Sequence, residues 1–459
     1  MVFKGDPKNI EKIFKAYDVR GKVPSELDGE VAYAIGQAYA AYTQAKRVCV
    51  GYDIRLSREI ISGQLIAGLN DAGVDVDVIG ECGTEMVYFA TFFYKLDGGI
   101  MVTASHNPAD YNGLKFVREQ AKPMSGELGL NDMANMLTQG KFEFKKLNGK
   151  KQTKAVMTDY SNYLLTLVNI EKMKPLRVVF NSGNGAAGKT LDALEMRLPI
   201  HMVKMFHEAD GHFPNGVPNP LLKENRKVTS ERVVQERADL GVAFDGDFDR
   251  CFFFDEHGEY VDSYYIIGIL AERFLKKFPG EKIIYDPRVI WNSIDLIQKA
   301  GGIPVQNKSG HAFMKDGMRK SNAPYGGEMS AHHFFRDFGF CDSGMLPWLV
   351  MLEILGEKNQ SLSEMIGERK KQFPISGEIN STVKDATAVL AGLKKKYGAQ
   401  ALSIDEIDGL SMAFENFRFN VRASNTEPLL RLNVEARGDL SLLGKKTDEI
   451  LQDIQRLGH

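Results

Sequence analysis

The 459-residue chain has only four cysteines, no long uninterrupted hydrophobic run, and almost no net charge. Cys49, Cys82, Cys251 and Cys341 stand singly and far apart. That excludes the paired spacing of a zinc site and the density of a disulfide scaffold. The most hydrophobic tract, GMLPWLVMLEIL from Gly344 to Leu355, is too short and too interrupted to span a bilayer. A formal charge of −2 leaves no general basic field for nucleic acid. The opening MVFKGDPKNIEK has no apolar core of the kind a secretory signal needs. The expectation is a cytoplasmic protein with neither nucleic acid nor membrane as partner.

What is present belongs to a large globular protein. With 43% apolar and 26% charged residues over 459 positions, the chain exceeds what one core can serve and points to about three or four domains. Three segments share one plan of apolar strand, polar or Gly-rich turn, amphipathic helix and second strand. The first is RVCVGYDIRLSREIISGQLIAGLNDAGVDVDVIG, with Ile60, Ile61, Leu65 and Leu69 at helical spacing and Gly73 as the stop. The others are LRVVFNSGNGAAGKTLDALEM and EKIIYDPRVIWNSIDLIQKAGGIPVQ. Each reads as a βαβ unit, so three α/β domains with parallel or mixed sheets are expected. Lys145 to Lys154, KKLNGKKQTK, reads as a solvated linker after the first. Beyond Pro374 the alternation in SMAFENFRFNVRAS and LLRLNVEAR, with a helix on either side, predicts a smaller α+β domain.

Four loops carry chemistry. In TASHNP, Thr103 to Pro108, an apolar strand GGIMV opens into a turn. Either this is an ordinary polar turn, or Ser105 is a nucleophile or phosphoryl carrier at the carboxyl end of a sheet, where open α/β domains place ligands. In LGVAFDGDFDRC, Asp245, Asp247 and Asp249 alternate after an apolar strand, and Gly246 permits a tight loop. Three convergent carboxylates suit a hard cation such as Mg²⁺ and without one would repel. Arg250 can meet a phosphoryl oxygen or balance the loop charge. YGGEMSAHHFF offers Glu328 and Ser330 to sugar hydroxyls and His332 and His333 as proton carriers. RFNVRASNTEPLLRLN gathers Arg422, Ser424, Asn425, Thr426 and Arg431 around a strand-turn-strand, a cradle for a dianion. A rival motif is GNGAAGKT, Gly183 to Thr190, which matches a P-loop and allows a nucleotide-dependent kinase or ATPase with Asp245 as its second carboxylate. The plain alternative is a tight βα turn with Lys189 in solvent.

The ordered set TASHNP, DGDFDR, GEMSAH and RASNTEP, with FKAYDVRG at Phe14 to Gly21, resembles the α-D-phosphohexomutase family, most of all its bacterial phosphomannomutase and phosphomannomutase/phosphoglucomutase branch. The match runs through essentially the whole chain. The resemblance implies four domains around a central cleft: three similar mixed α/β sheet domains at 1–152, 153–254 and 255–370, and an α+β domain at 371–459 resembling the TATA-binding-protein fold. It implies that Ser105 carries phosphate and that Mg²⁺ is held by a phosphoserine oxygen with Asp245, Asp247 and Asp249. Glu328 and Ser330 would bind sugar hydroxyls, and Arg422, Ser424, Asn425 and Thr426, with Arg431 alongside, the phosphate that is not transferred. Tyr17, Arg20, Lys115, Arg250, Arg288, His311 and His332 match further positions of the cleft. Of these, Arg20, Lys115 and His332 are candidates for proton transfer or charge stabilisation, while His106 would orient the phosphoserine. The implied reaction interconverts mannose 6-phosphate and mannose 1-phosphate through a hexose 1,6-bisphosphate that turns end for end, with a mobile C-terminal domain serving the turn. Dual mannose and glucose specificity is the near alternative. A P-loop kinase, an aspartyl phosphatase using FDGD, and a non-catalytic sugar-phosphate-binding protein are the distant ones. In the family the Gly183 to Gly188 turn has no nucleotide role.

Overall fold

A computed structural model describes residues 7–139, 147–423 and 429–458. The chain forms two compact units, Met1–Tyr260 with His332–Asn359, and Val261–Ala331 with Gln360–His459.

The first unit contains two of the expected α/β sheets. In the first sheet, Arg47–Tyr52 runs parallel to both Asp75–Glu81 and Gly98–Val102, and Gly98–Val102 pairs antiparallel with Tyr111–Arg118. The Gly98–Val102 strand is buried at every position. That is the mark of a strand covered on both faces, and it explains why its sequence is a continuous apolar run and does not alternate. The helix Arg58–Asp71 buries Ile61, Leu65 and Leu69 against this sheet, whereas Ile60 stays 58% exposed. The apolar stripe is therefore narrower than the spacing predicted. In the second sheet Arg177–Asn181 lies between His201–Met205 and Leu240–Phe244, all parallel, and Cys251–Phe254 returns antiparallel to Leu240–Phe244.

One expectation needs correcting. The polar stretch read as a linker ends in the strand Lys151–Thr153, which pairs in parallel with Asp75–Glu81 at the sheet edge. All three of its residues are exposed. An edge strand with no face to bury shows no hydropathy signal, and lysine at such an edge opposes further strand addition.

In the second unit Lys282–Tyr285 lies between the parallel strands Ile303–Gln306 and Tyr325–Gly327. The C-terminal sheet is antiparallel throughout, in the order Ile379–Thr382, Leu429–Ala436, Phe417–Ala423, Leu410–Ala413, Ser403–Asp405. Its inner face, with Leu410, Phe419, Val421, Leu432 and Val434, packs with Val389 and Leu393 of the helix Ala386–Tyr397 and Ile450 and Ile454 of the helix Leu440–Gly458. Each such buried side chain contributes about 1.5–3 kcal/mol, enough to sustain a separate core. This sheet is tied to its neighbour within the unit by Arg418. Its guanidinium meets Glu435 at 3.1 Å and donates to the carbonyls of Pro287 and Arg288, and Glu435 accepts from the backbone of Ile290 and Trp291.

Candidate active site

In the first unit, the carboxyl ends of two buried strands converge. Gly98–Val102 runs into the Ser105 loop and Leu240–Phe244 into the carboxylate loop. The two loops touch at backbone level: a Cβ on Gly246 would stand 2.5 Å from the Ser105 carbonyl oxygen. Only glycine permits that approach. Ser105 Oγ lies 2.8 Å from Asp245 Oδ2 and 3.1 Å from His106 Nδ1. His106 Nδ1 also meets Arg250 Nη2. Because a guanidinium only donates, Nδ1 is the acceptor and the ring proton sits on Nε2. Burial, reinforced by Arg250 and Arg20, holds the imidazole well below its usual pKa, so it is neutral.

Ser105 itself adopts a left-handed backbone, φ +49°, a conformation that costs a β-carbon residue about 1–3 kcal/mol and persists only when its surroundings impose it. Here they do. Thr103 Oγ1 accepts from Ser105 N at 2.8 Å and donates to Asp53 Oδ2 at 2.6 Å. Arg55, fully buried, donates to four carbonyls of this loop: Ser105 and Asn107 from Nη2, Pro108 and Tyr111 from Nη1, at 2.6–2.9 Å. Arg20 donates to the Ala104 carbonyl at 3.0 Å and meets Asn107 Oδ1. The sequence names Arg20 as a residue of the cleft, without this hold on the loop, and does not name Arg55.

Asp245, Asp247 and Asp249 are all buried and place carboxylate oxygens within 4.8 Å of one another. Burial, with Asp249 and Asp247 beside it and against the pull of Arg250, pushes Asp245 up to about 6. Burial also works against Asp249, but Lys115, His332 and Arg250 outweigh it and hold that carboxyl well below the usual range. Lys115 Nζ spans Asp247 Oδ2 at 2.7 Å and Asp249 Oδ2 at 2.5 Å. Burial alone would lower the Lys115 pKa; these two carboxylates raise it instead, so the ammonium stays charged. Arg250 pairs with Asp245 at 2.7 Å and also meets His106 Nδ1, so it lies against both the carboxylate loop and the Ser105 loop. His332 Nε2 lies 3.6 Å from Asp249 Oδ1 and 3.9 Å from Asp342 Oδ2. Tyr17 is half-buried in the bend before the strand Val19–Lys22. The carboxylate trio fits a hard divalent cation. Among the described residues, the buried Asp247 Oδ1 has no hydrogen-bond partner, and three anionic ligands at this spacing are the oxygen donor set such an ion takes.

The dipeptide Thr84 and Glu85 opens the helix Thr84–Phe93 and belongs to no motif of the sequence. Thr84 Oγ1 donates to Asp247 Oδ2 at 2.5 Å, and its N–H to the Asp247 carbonyl at 3.0 Å. Glu85 accepts from Ser343 Oγ, Gly344 N and Met345 N. A Cβ on Gly344 would stand 2.3 Å from the Phe248 carbonyl oxygen, so this turn buttresses the carboxylate loop.

In the second unit another polar group gathers at strand ends. Asp286 and Arg288 follow Lys282–Tyr285, and Glu328 and Ser330 follow Tyr325–Gly327. Asp286 Oδ2 accepts from Arg288 Nη2 at 2.5 Å and from Met329 N at 2.6 Å, and Arg288 Nη2 lies 3.3 Å from Ser330 Oγ. Burial notwithstanding, Asp286 raises the Arg288 pKa further. Glu328 Oε1 accepts from Gly310 N at 2.6 Å, at the start of the helix His311–Ser321. Arg422 and Arg431 face each other across the paired strands Phe417–Ala423 and Leu429–Ala436 and share Glu378 with Arg288. Ser424, Asn425 and Thr426 lie outside the described residues. The P-loop match has no such company. Gly183 and Asn184 form a left-handed turn at φ +58° and +55°, and Lys189 is 65% exposed and pairs with Glu81 at 2.8 Å.

Four family models cover this chain in order: phosphoglucomutase/phosphomannomutase alpha/beta/alpha domain I over residues 11–141, domain II over 158–258, domain III over 262–373, and the C-terminal domain over 378–452. The chain belongs to the phosphoglucomutase/phosphomannomutase family. It is 50% identical over 455 residues to a phosphomannomutase of Vibrio cholerae, covering 97% of this chain and 98% of the relative. It is also 50% identical over 437 residues to the phosphohexose mutases of Xanthomonas campestris, with 95% and 98% covered. Among solved structures, a phosphoglucomutase/phosphomannomutase family protein from Burkholderia thailandensis matches with a TM-score of 0.88 at 30% identity, over 98% of this chain and 99% of that one. The fold is thus the four-domain phosphohexomutase architecture, three mixed α/β sheets and an antiparallel C-terminal sheet, and the chain is an enzyme of the phosphotransferase type of isomerase. Among the described residues no helix is long and apolar enough to cross a membrane.

Proposed function

We propose that this phosphohexomutase interconverts mannose 6-phosphate and mannose 1-phosphate, with the phosphoryl group carried on Ser105 between the two halves of the reaction. One observation carries the reading: a strained, buried serine whose hydroxyl lies 2.8 Å from a buried trio of aspartates. In the first half, the Oγ–P bond of phosphoserine 105 breaks and an O–P bond forms to the substrate's hydroxyl, giving hexose 1,6-bisphosphate. In the second, the bisphosphate returns its other phosphoryl group to Ser105. Added bisphosphate therefore serves as activator as well as intermediate.

Mg²⁺ held by Asp245, Asp247, Asp249 and a phosphoserine oxygen would neutralise charge on the transferring phosphoryl group. The remaining work falls to the chain's own side chains, because phosphoryl transfer rests on positioning and electrostatic stabilisation. Arg55 and Thr103 hold the Ser105 backbone. Lys115 and Arg20 stay charged and stabilise negative charge, and neutral His106 aligns the serine oxygen. His332, near Asp249, is the proton carrier for the substrate hydroxyl. Glu328 and Ser330 read sugar hydroxyls, with Arg288, His311 and Tyr17 as further contacts. Arg422, Arg431, Ser424, Asn425 and Thr426 grip the phosphate that stays.

Phosphohexose mutases among the 50% identical relatives support a second reading, dual action on mannose and glucose phosphates. A coupled assay comparing mannose 1-phosphate with glucose 1-phosphate, with Mg²⁺ and a trace of bisphosphate, decides. A clear preference for mannose fits the first reading and equal efficiencies the second. Turnover of neither sinks both.

A further inference from the structure

The arginine pair of the C-terminal sheet already holds an anion. Arg422 and Arg431 stand directly opposite each other on antiparallel strands, where like charges repel. Glu378, one residue before the edge strand Ile379–Thr382, lies between them: Oε2 accepts from Arg422 Nη2 at 3.2 Å and Oε1 from Arg431 Nη1 at 3.3 Å. Arg288 Nη1 approaches Oε2 at 4.0 Å. Burial would raise the Glu378 carboxyl, but Arg288, Arg422 and Arg431 outweigh it and hold it below the usual range. One carboxylate spread over three guanidinia has the charge relationship a phosphate has to an arginine fork. The pairing is loose, since charge-assisted contacts of this kind normally run to about 2.7–2.9 Å. Arg422 Nε and Arg431 Nε are also buried without hydrogen-bond partners among the described residues, so one carboxylate does not satisfy the donors of the pair.

We propose that Glu378 is a resident counter-ion of the phosphate cradle, competing with the substrate's non-transferring phosphate so that the bisphosphate intermediate is released quickly enough to turn round. The inference rests on the assignment of Arg422 and Arg431 to that phosphate. Each catalytic cycle needs the cradle to grip one phosphate, let go, and grip the other, and without Glu378 the Arg422 and Arg431 guanidinia, whose carboxylate partner among the described residues is Glu378, would hold a phosphorylated intermediate longer. A carboxylate already among them lowers the gain on binding and returns to its partners on release. Its side chain, 27% exposed, has room to swing aside.

Calorimetric titration with inorganic phosphate, together with steady-state kinetics, tests this in wild type, Glu378→Gln, Glu378→Asp and Arg422→Gln, with melting curves to verify folding. Removing one opposing charge a few ångströms from the anion should tighten phosphate binding in Glu378→Gln about tenfold. KM for hexose phosphate should fall and kcat should fall with it, as release becomes limiting. Glu378→Asp, which keeps the charge but withdraws it, should lie between that variant and wild type. Wild-type or weaker phosphate affinity in both folded Glu378 variants overturns the proposal. If Arg422→Gln abolishes phosphate binding in that same experiment, the cradle assignment stands and this inference alone has failed. Phosphate binding indifferent to Arg422→Gln overturns the assignment and the proposal together.

Discussion

Ser105 Oγ and Asp245 Oδ2 lie 2.8 Å apart although 140 positions separate them in sequence. The contact joins two domains of the first unit and makes Ser105, the proposed phosphoryl carrier, a neighbour of the carboxylate loop. Whatever holds that loop therefore acts on Ser105.

Thr84 is the first such holder. Its hydroxyl and its N–H both bind Asp247, and outer contacts of this kind typically contribute 10–100-fold to metal affinity. Thr84→Val is expected to weaken Mg²⁺ binding by about that factor, read by calorimetry, while Thr84→Ser restores it. Equal affinity in all three proteins would show that Thr84 merely fills space.

Arg55 is the second. Its guanidinium closes four carbonyls around Ser105, a geometry that a lysine ammonium cannot span. Arg55→Lys should lose about 10²-fold in kcat, the scale on which small misplacements of reacting atoms are felt, with a smaller change in KM. Initial-rate kinetics on a protein verified by its melting curve measure this. A loss confined to KM would argue against control of the serine's position.

Glu85 gives the fold a pH dependence. Burial pushes its carboxyl up to about 8, against the pull of Tyr160, Ser343, Met345 and Gly344. The folded state binds this proton more tightly than the unfolded chain, whose carboxyl titrates near 4.3. Its stabilising contribution is complete below that value and is lost as pH rises through 8. Glu85→Gln should flatten the fall in melting temperature between pH 5 and 8. An unchanged slope would place the proton elsewhere.

Lys189 tests the rival motif. Because it is exposed and paired with Glu81, Lys189→Ala should retain mutase activity within about twofold, as surface changes away from a site usually do, and the wild type should not bind Mg-ATP. Loss of turnover with tight nucleotide binding would restore the P-loop reading.

Much of this was legible in the sequence because the chemistry sits where apolar strands stop. GGIMV before Ser105 and LGVAF before Asp245 announced both loops, and the three βαβ patterns announced their sheets. Arg55, Thr84 and Glu378 were not legible. Their roles depend on partners tens to more than a hundred positions away, Asp247 for Thr84 and the Ser105 carbonyl for Arg55, and neither residue type nor spacing encodes such a contact. The edge strand Lys151–Thr153 escaped for the opposite reason, since a strand without a buried face has no pattern to read. The exposed Ile60 was over-read because a helical period alone does not fix the width of a buried stripe.

The central claim is that Ser105 carries the phosphoryl group. Incubation with glucose 1,6-bisphosphate and Mg²⁺, followed by peptide mapping, should place an acid-stable phosphate on Ser105 that chases onto mannose 1-phosphate. Ser105→Ala should fold, take up no phosphate and lose nearly all turnover. A hydroxylamine-labile phosphate on Asp245, or full turnover by Ser105→Ala, would contradict the account.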